Sequence, residues 1–198
     1  MFERAIRTIE SVSAVELVLA VRRRSYPYRN ANLVVGAVIA FLGLAAMLFS
    51  HEPFGLAAIL VDPFIVGIAA GALVELLPGV KRLLTPHAWR RRHVDRAARA
   101  TFVERGVHAT ESRGGMLVYI SWLEQQVAIV ADIGLARTLP VDAIAELERD
   151  MSAAMRHGGA RCAERLEKFS RELAVAMPRR LDDVNELPDA IDSDLVRA

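Results

Sequence analysis

The chain has 198 residues, of which 53% are hydrophobic and 25% charged, and its formal net charge is +1. This balance excludes a polyanion and a polycation, although the charge is unevenly distributed. Residues 81–106 carry eight basic and two acidic side chains, and residues 107–198 carry eleven basic and sixteen acidic side chains. The single cysteine, Cys162, excludes an intramolecular disulfide and a cysteine-based metal framework.

Residues 2–24 carry apolar side chains at spacings of three and four, which predicts an amphipathic helix. The apolar positions are Phe2, Ile6, Ile9, Val12, Val15 and Leu19. We expect this helix either to lie on a membrane surface or to pack on the protein's own domain. Together with the basic residues that follow, it forms the first predicted region, residues 1–30.

Two long apolar stretches follow, at residues 31–50 and 54–77. The first has twenty residues without a charge. At about 1.5 Å per helical residue, this length matches a hydrocarbon core of roughly 30 Å. Because only three residues separate the two stretches, we predict an antiparallel transmembrane hairpin within residues 31–80, with the lipid bilayer as a partner.

The distribution of basic residues predicts how this hairpin is oriented. Four arginines lie within residues 22–29, directly before the first stretch, none lies in the link, and Lys81 and Arg82 follow the second stretch. Basic residues stay on the cytoplasmic side of a membrane. Arginine also replaces lysine almost everywhere, as in GC-rich bacterial genomes. We therefore expect an integral protein of a bacterial inner membrane, with both termini and the following domain in the cytoplasm.

Asp62 interrupts the second apolar stretch and is followed by Pro63. A carboxylate inside a membrane span is costly, and its default interpretation is functional. A kink at Pro63 would let the carboxylate reach water or a backbone donor. The alternative is that Asp62, which lies near the beginning of the stretch, extends to the nearer interface.

A threonine and a proline at positions 85 and 86 form a capped helix start, which predicts a helix over residues 85–105. Arg90, Arg91 and Arg92 on this helix predict contact with anionic lipid headgroups. Nucleic acid is not an expected partner, because no aromatic stacking pattern or recognised motif accompanies the basic run.

Residues 116–122 and 127–131 give the clearest signal for β-structure, because they are rich in β-branched and aromatic side chains. The short polar segment between them predicts a hairpin turn, in which we expect Glu124 to be solvated. A hairpin alone is marginally stable in water, so helices must cover it.

Two such helices are predicted after the hairpin, one from Pro140 to about residue 158 and one that ends before Pro178. Cys162 lies on the apolar stripe of the last helix, and we interpret it as a small buried hydrophobe rather than a nucleophile. The acidic tail, residues 181–198, has the composition of an extended or disordered segment. Val184 and Leu187 are expected to anchor its first half, whereas its last ten residues are expected to be solvated.

The chain has no HExxH, GxSxG, Walker or GxGxxG motif. What remains is a polar cluster at the open end of the hairpin: Thr110, Glu111 and Arg113 precede the first strand, and Asp132 follows the second. Arg113 and Asp132 are expected to form an ion pair or a loop cap. The alternative is a small oxygen-ligand site for Ca²⁺ or Mg²⁺, with Asp132 and Glu111 as ligands.

The segment from Ala97 to Ser121, A-A-x-x-x-F-x-x-x-G-V-x-x-T-x-x-R-x-G-x-L-V-Y-I-S, resembles the TPM domain. The likeness continues through Asp132 and resumes in the acidic tail, and it extends to Glu16 and the double span. This resemblance implies an α/β fold with a small mixed sheet flanked by helices. We expect a shortened version of it at residues 81–180, with the membrane spans in place of the leading strands.

Two functions follow from these observations. The lack of a nucleophile constellation favours a non-enzymatic, membrane-anchored module that binds a membrane-protein partner and assists assembly or maintenance of membrane complexes. The resemblance implies, as an alternative, a metal-assisted phosphatase or other hydrolase that acts around Asp132.

Overall fold

The computed structural model describes residues 1–179, 187 and 191–195, and the chain divides into two compact units. One unit comprises Met1–Ser25 and Arg91–Ala198, and the other comprises Tyr26–Arg90. The apolar hairpin is therefore an insertion in the chain of the first unit. Val184 and most of the family-like tail motif lie outside the described residues.

Helices dominate both units, and short 3-10 turns at Val74–Leu76, Val107–Ala109 and Met155–His157 extend or connect them. The elements in chain order are α1 (Phe2–Val12), β1 (Leu17–Arg22), α2 (Arg29–Phe49), α3 (Leu56–Leu73), α4 (Pro78–Leu84), α5 (His87–Glu104), β2 (Met116–Ser121), β3 (Gln126–Ala131), α6 (Ile133–Thr138), α7 (Ala143–Ala154), α8 (Gly159–Lys168), α9 (Ser170–Ala176) and β4 (Asp192–Ser193).

The described strands form one mixed sheet in the order β3-β2-β1-β4. β2 and β3 are the predicted antiparallel hairpin, with Met116 opposite Ala131 and Ser121 opposite Gln126. β1 pairs in parallel with β2, with Leu17 opposite Met116, and β4 pairs in parallel with β1. The predicted mixed α/β class is therefore confirmed.

Side chains alternate across the sheet, so each face has its own core. One face is covered by α1, α7, α8 and α9, and its buried residues include Ile6, Ile9, Leu19, Val118, Ile120, Leu147, Met151, Leu166 and Leu173. The other face is covered by α5, and its buried residues include Val18, Ala20, Leu117, Tyr119, Val94 and Phe102. The central strands are buried on both faces, as in sheets that helices enclose.

The prediction of one helix over residues 2–24 is wrong beyond α1. Leu17 to Val21 are all buried, and this run forms a central strand rather than one side of a helix. An uninterrupted apolar run is typical of a strand that is covered on both faces. The N-terminal segment thus belongs to the α/β unit. The apolar hairpin does not replace a leading strand but follows it.

The second unit contains two helices long and apolar enough to cross a membrane. They span Arg29–Phe49 and Leu56–Leu76, with 21 residues and mean hydropathies of 2.4 and 2.2. α2 and α3 pack closely through small residues, since a Cβ on Gly67 would lie 2.5 Å from the carbonyl oxygen of Gly36. Small residues at such contacts let membrane helices approach each other.

Two other predictions need correction. The last predicted helix is interrupted at Phe169, which separates α8 from α9. The end of the tail is not simply solvated, because Asp192 and Ser193 form β4 beside Ala20 and Val21 of β1. Leu187 packs on the core under α5, which agrees with its predicted anchoring role.

Candidate functional site

The open end of the β2–β3 hairpin brings Arg113 and Asp132 together. Arg113 Nε lies 2.9 Å from Oδ2 of Asp132, which is buried. The geometry is that of an ion pair rather than a directed hydrogen bond, because Oδ2 has no hydrogen-bond donor among the residues that the structure describes. The other oxygen, Oδ1, accepts a hydrogen bond from Ile133 N at 2.7 Å and caps α6. Asp132 therefore has the structural role of an ion pair and a cap.

Thr110 and Glu111, the other residues of this predicted site, lie in different environments. Thr110 is buried and its Oγ1 has no hydrogen-bond partner in the described part of the chain, whereas Glu111 is exposed. In the part of the chain that the structure describes, no three His, Cys, Asp or Glu side chains form a metal-binding group. A cation at Asp132 would also have to displace Arg113 from its carboxylate. These residues therefore do not fit a resident divalent cation.

The opposite end of the hairpin contains a cluster of polar side chains, three buried and one (Ser25) half-buried, that we call the turn cluster: Ser25, Tyr119, Ser121 and Glu124. Glu124 is 1% exposed, so the prediction that it is solvated is wrong. Its Oε1 accepts a hydrogen bond from Ser25 N at 3.0 Å, and its Oε2 accepts one from Ser121 Oγ at 2.5 Å. The chain beyond β1 runs alongside the turn and covers this carboxylate.

The hydroxyl groups of the turn cluster form a connected network. Ser25 Oγ lies 2.7 Å from Ser121 Oγ and 3.3 Å from the hydroxyl oxygen of Tyr119. Burial raises the pKa of Tyr119, and the nearby carboxylate of Glu124 adds to the rise, while Ser25 and Arg22 oppose it. Tyr119 is therefore a neutral hydrogen-bonding group at physiological pH. Ser121 is completely buried and Ser25 is half-buried, and the network joins the segment after β1 to the turn.

The outer edge of β3 is covered by polar side chains from α5 and α7. Ile129 N donates to Glu148 Oε1 at 2.6 Å, and Val127 N donates to Ser152 Oγ at 2.9 Å. Arg91 donates to the carbonyl oxygen of Val127 at 2.8 Å and forms an ion pair with Glu148. These contacts satisfy strand groups that would otherwise pair with another chain. Arg91, one of the arginines predicted to contact lipid headgroups, is part of this cover.

The other edge of the sheet, at β4, is stabilised by ion pairs. Arg22 donates to Asp192 Oδ2 at 2.5 Å and to the backbone oxygen of Asp192 at 2.8 Å, and Arg105 also pairs with this carboxylate. The hydrogen bond from Arg22 lowers the pKa of Asp192 despite its partial burial, and the charges of both arginines lower it further. Sequence reasoning missed this site because the arginines and the aspartate are far apart in the chain.

Two further predicted residues have simple surroundings. Cys162 is buried, its thiol lies 3.2 Å from the carbonyl oxygen of Met151, and burial raises its pKa to about 11. A thiol that stays protonated is a poor nucleophile, which agrees with its interpretation as a core residue. Asp62 is exposed on α3, next to the buried Pro63.

No family model and no curated protein matches the chain. Among solved structures, the chain is similar to the NMR structure of the BA42 protein from the psychrophilic bacterium Bizionia argentinensis. The sequence identity is 15% and the TM-score is 0.56, over 97% of this chain and 89% of that one. At this identity the likeness shows a shared fold and carries no information about activity.

Proposed function

We propose that the chain is a membrane-anchored, non-enzymatic interaction module with a TPM-like domain, which assists assembly or maintenance of membrane-protein complexes. The observation that carries this proposal is the insertion of the apolar hairpin within the α/β unit. Because the chain leaves that unit after Ser25 and returns at Arg91, the unit has two connections to the anchor. Such a double connection suits a domain that works at a membrane surface.

The basic residues on both sides of the hairpin support the orientation in this proposal. We place the hairpin in a bacterial inner membrane, with both termini and the α/β unit in the cytoplasm. A reporter fused after Ala198 is expected to behave as cytoplasmic and one inserted after Glu52 as periplasmic. The reverse pattern would contradict this orientation.

The partner contact belongs on the β4 side of the sheet. The β3 edge is occupied by Glu148, Ser152 and Arg91, so another strand cannot pair there without displacing them. In the part of the chain that the structure describes, β4 pairs with two of the six residues of β1, and Leu195 after it is exposed. We therefore assign partner recognition to β4 and the residues that follow it.

Photocross-linking in cells tests this assignment. A benzophenone amino acid at Leu195 is expected to give an adduct with another membrane protein. The same amino acid at Val141 and Val175, which are 98% and 85% exposed on other parts of the unit, is expected to give none. Adducts only at the comparison positions would place the partner-binding surface elsewhere on the unit. The lack of adducts at all three positions would contradict the proposal that the chain is an interaction module.

The hydrolase alternative has a separate test. The full chain in detergent is expected to show no release of phosphate from a generic phosphomonoester with Mg²⁺, Mn²⁺ or Ca²⁺. Asp132→Asn is the matched variant, because it removes the carboxylate that the alternative requires. Divalent-dependent activity that Asp132→Asn abolishes would replace our proposal with the hydrolase.

A further inference from the structure

The apolar hairpin carries one charged residue, which lies on its exposed surface. Residues 31–50 contain no charge, and Asp62 is the single charged residue among residues 53–74. The face of α3 that packs on α2 is formed by Pro63, Gly67 and Gly71. Asp62 lies outside this face and is exposed. Its carboxylate has no hydrogen bond or ion pair with any residue that the structure describes, and residues 26–90, which form this unit, are all described.

Asp62 lies well inside the span rather than at its end. It follows Leu56, the first residue of α3, by six residues, which is a rise of about 9 Å. Gly43 of α2 lies at the same level, because a Cβ on it would be 3.8 Å from Cα of Pro63, and α2 continues for six residues beyond it. Lysine and arginine can extend a long side chain to the interface, whereas aspartate has a single methylene group. A bilayer that holds the hairpin would therefore surround this carboxyl group with hydrocarbon.

The proline after Asp62 leaves a second hydrogen-bond acceptor close to it. Pro63 has no N–H group to donate to the carbonyl oxygen of Ile59, which lies four residues earlier. α3 nevertheless continues through this position from Leu56 to Leu73, so the helix is not interrupted here. In membrane helices, neighbouring helices are one source of the donors that such carbonyl groups lack. The carboxylate of Asp62 and the carbonyl oxygen of Ile59 are thus two acceptors within one turn of α3.

The surface around Asp62 is suited to the close approach of another helix. Ala58 precedes Asp62 by four residues, and Val66 and Ala69 follow it by four and seven, so these residues share one face of α3. Val66 and Ala69 are exposed, and Ala58 is half-buried. Small side chains on such a face allow the backbones of two membrane helices to come close together. A polar group on the second helix would then reach Asp62.

Charge complementarity determines which kind of helix fits this face. A second copy of the hairpin would bring another Asp62 and no basic residue, because residues 31–50 and 53–74 contain none, and two carboxylates repel each other. A lysine or arginine supplies a positive charge and several N–H donors, enough for both acceptors. Such a residue inside a span is itself costly unless it is paired, so the contact would stabilise both helices.

We propose that α3 binds a transmembrane helix of another protein, and that a lysine or arginine on that helix pairs with the carboxylate of Asp62 inside the bilayer. This inference rests on the membrane anchoring proposed above and names the chemistry of the membrane-protein partner. It is separate from the contact assigned to β4, because Asp62 and β4 belong to different units.

Energy transfer in vesicles tests the pairing. The full chain, with a fluorescent protein fused after Ala198, is reconstituted in phosphatidylcholine vesicles together with a synthetic alanine-leucine helix that carries an acceptor dye. One version of this helix has a single lysine at the depth of Asp62, and the other has leucine at that position. We expect the lysine helix to bind about tenfold more tightly than the leucine helix. Equal binding of the two helices would overturn the proposal.

Substitutions in the chain show whether Asp62 is responsible for the binding. Asp62→Leu is expected to reduce binding of the lysine helix to the level of the leucine helix, and Asp62→Glu is expected to retain it. Asp62→Leu removes a costly carboxylate from the span, so it should not impair insertion. The matched control is Glu52→Gln in the exposed link, which should leave binding unchanged. Full binding by Asp62→Leu, or an equal loss in Glu52→Gln, would refute the role of Asp62.

Two further measurements separate this inference from the proposals on which it rests. If alkaline carbonate releases the chain from the vesicles, the anchoring itself fails, and the pairing fails with it. If the chain is retained but the lysine and leucine helices bind equally, the anchoring stands and the pairing inside the bilayer is refuted. Energy transfer between two differently labelled copies of the chain that Asp62→Leu abolishes would make a second copy the partner and would also refute our assignment.

Discussion

Removing the carboxylate of Glu148 should open the outer edge of β3. Glu148 accepts the hydrogen bond of Ile129 N at 2.6 Å and pairs with Arg91, and its side chain is only 14% exposed. The substitution Glu148→Ala deletes both contacts and leaves a buried strand amide without its acceptor. Glu148→Gln keeps an acceptor for the amide but loses the charge that faces Arg91.

The expected loss of stability at β3 follows from the type of hydrogen bond that the substitution removes. A hydrogen bond to a charged group contributes about 1.5–3 kcal/mol, and an unsatisfied buried donor costs a similar amount. We expect Glu148→Ala to lower the free energy of opening β3 by about 2 kcal/mol, which corresponds to roughly 30-fold faster amide exchange. Glu148→Gln should produce about half of this free-energy change, because one of the two contacts remains.

The free energy of opening β3 is measured by hydrogen exchange of the Ile129 amide in the full chain in detergent. Glu146→Ala is the matched control, since Glu146 lies one half-turn away on α7, is 68% exposed and forms only a loose ion pair with Arg149. Such exposed pairs contribute little, so Glu146→Ala should leave the exchange of Ile129 within about twofold of the unmodified chain. Equal exchange rates in Glu148→Ala and Glu146→Ala would show that Glu148 does not protect this edge.

Three further substitutions, two of them with a control substitution, probe other parts of the structure. Gly115→Ala would place a Cβ 2.0 Å from a backbone oxygen and should lower the free energy of unfolding by about 3 kcal/mol or more. Gly159→Ala, whose Cβ meets no atom closer than 3.7 Å, should be neutral or slightly stabilising in the same thermal unfolding measurement. Because the pKa of Asp192 is lowered, its contribution is present above the unfolded pKa of about 3.9 and is lost as the pH falls through the lower folded pKa. Asp192→Asn should reproduce this loss at neutral pH as faster amide exchange in β4, and unchanged exchange would contradict the role of the ion pairs. Gly67→Ala should destabilise the hairpin in detergent by about 1–3 kcal/mol, whereas Gly43→Ala, with a nearest contact of 3.8 Å, should not.

Several features could be predicted from local sequence because local chemistry decides them. The apolar stretches at 31–50 and 54–77 correspond to α2 and α3, since a long uncharged run has few alternatives to an apolar helix. The β2–β3 hairpin followed from β-branched and aromatic runs on both sides of a short polar turn. The proximity of Arg113 and Asp132 followed in turn, because the two ends of a hairpin must meet.

The errors concern features that depend on contacts between distant residues. Leu17 pairs with Met116, so whether residues 17–22 form a strand or extend α1 depends on a partner about a hundred positions away. The burial of Glu124 has the same origin, because Ser25 covers it only after β1 has joined the sheet. Local periodicity contains no information about the pairing of β1 with β2 or about the contact between Ser25 and Glu124.

The sequence by itself thus determined the two long apolar helices, the β2–β3 hairpin and most of the helices around it, because each depends on side chains within one turn or one strand. Only the tertiary structure decided that the N-terminal segment supplies a central strand, that Glu124 is buried, and that the acidic tail returns to the sheet at Asp192. The physical reason is that an extended strand has no hydrogen bonds of its own. Its backbone groups are satisfied only by neighbouring strands, and here the neighbours of β1 are β2 and β4, which lie far from it in the sequence.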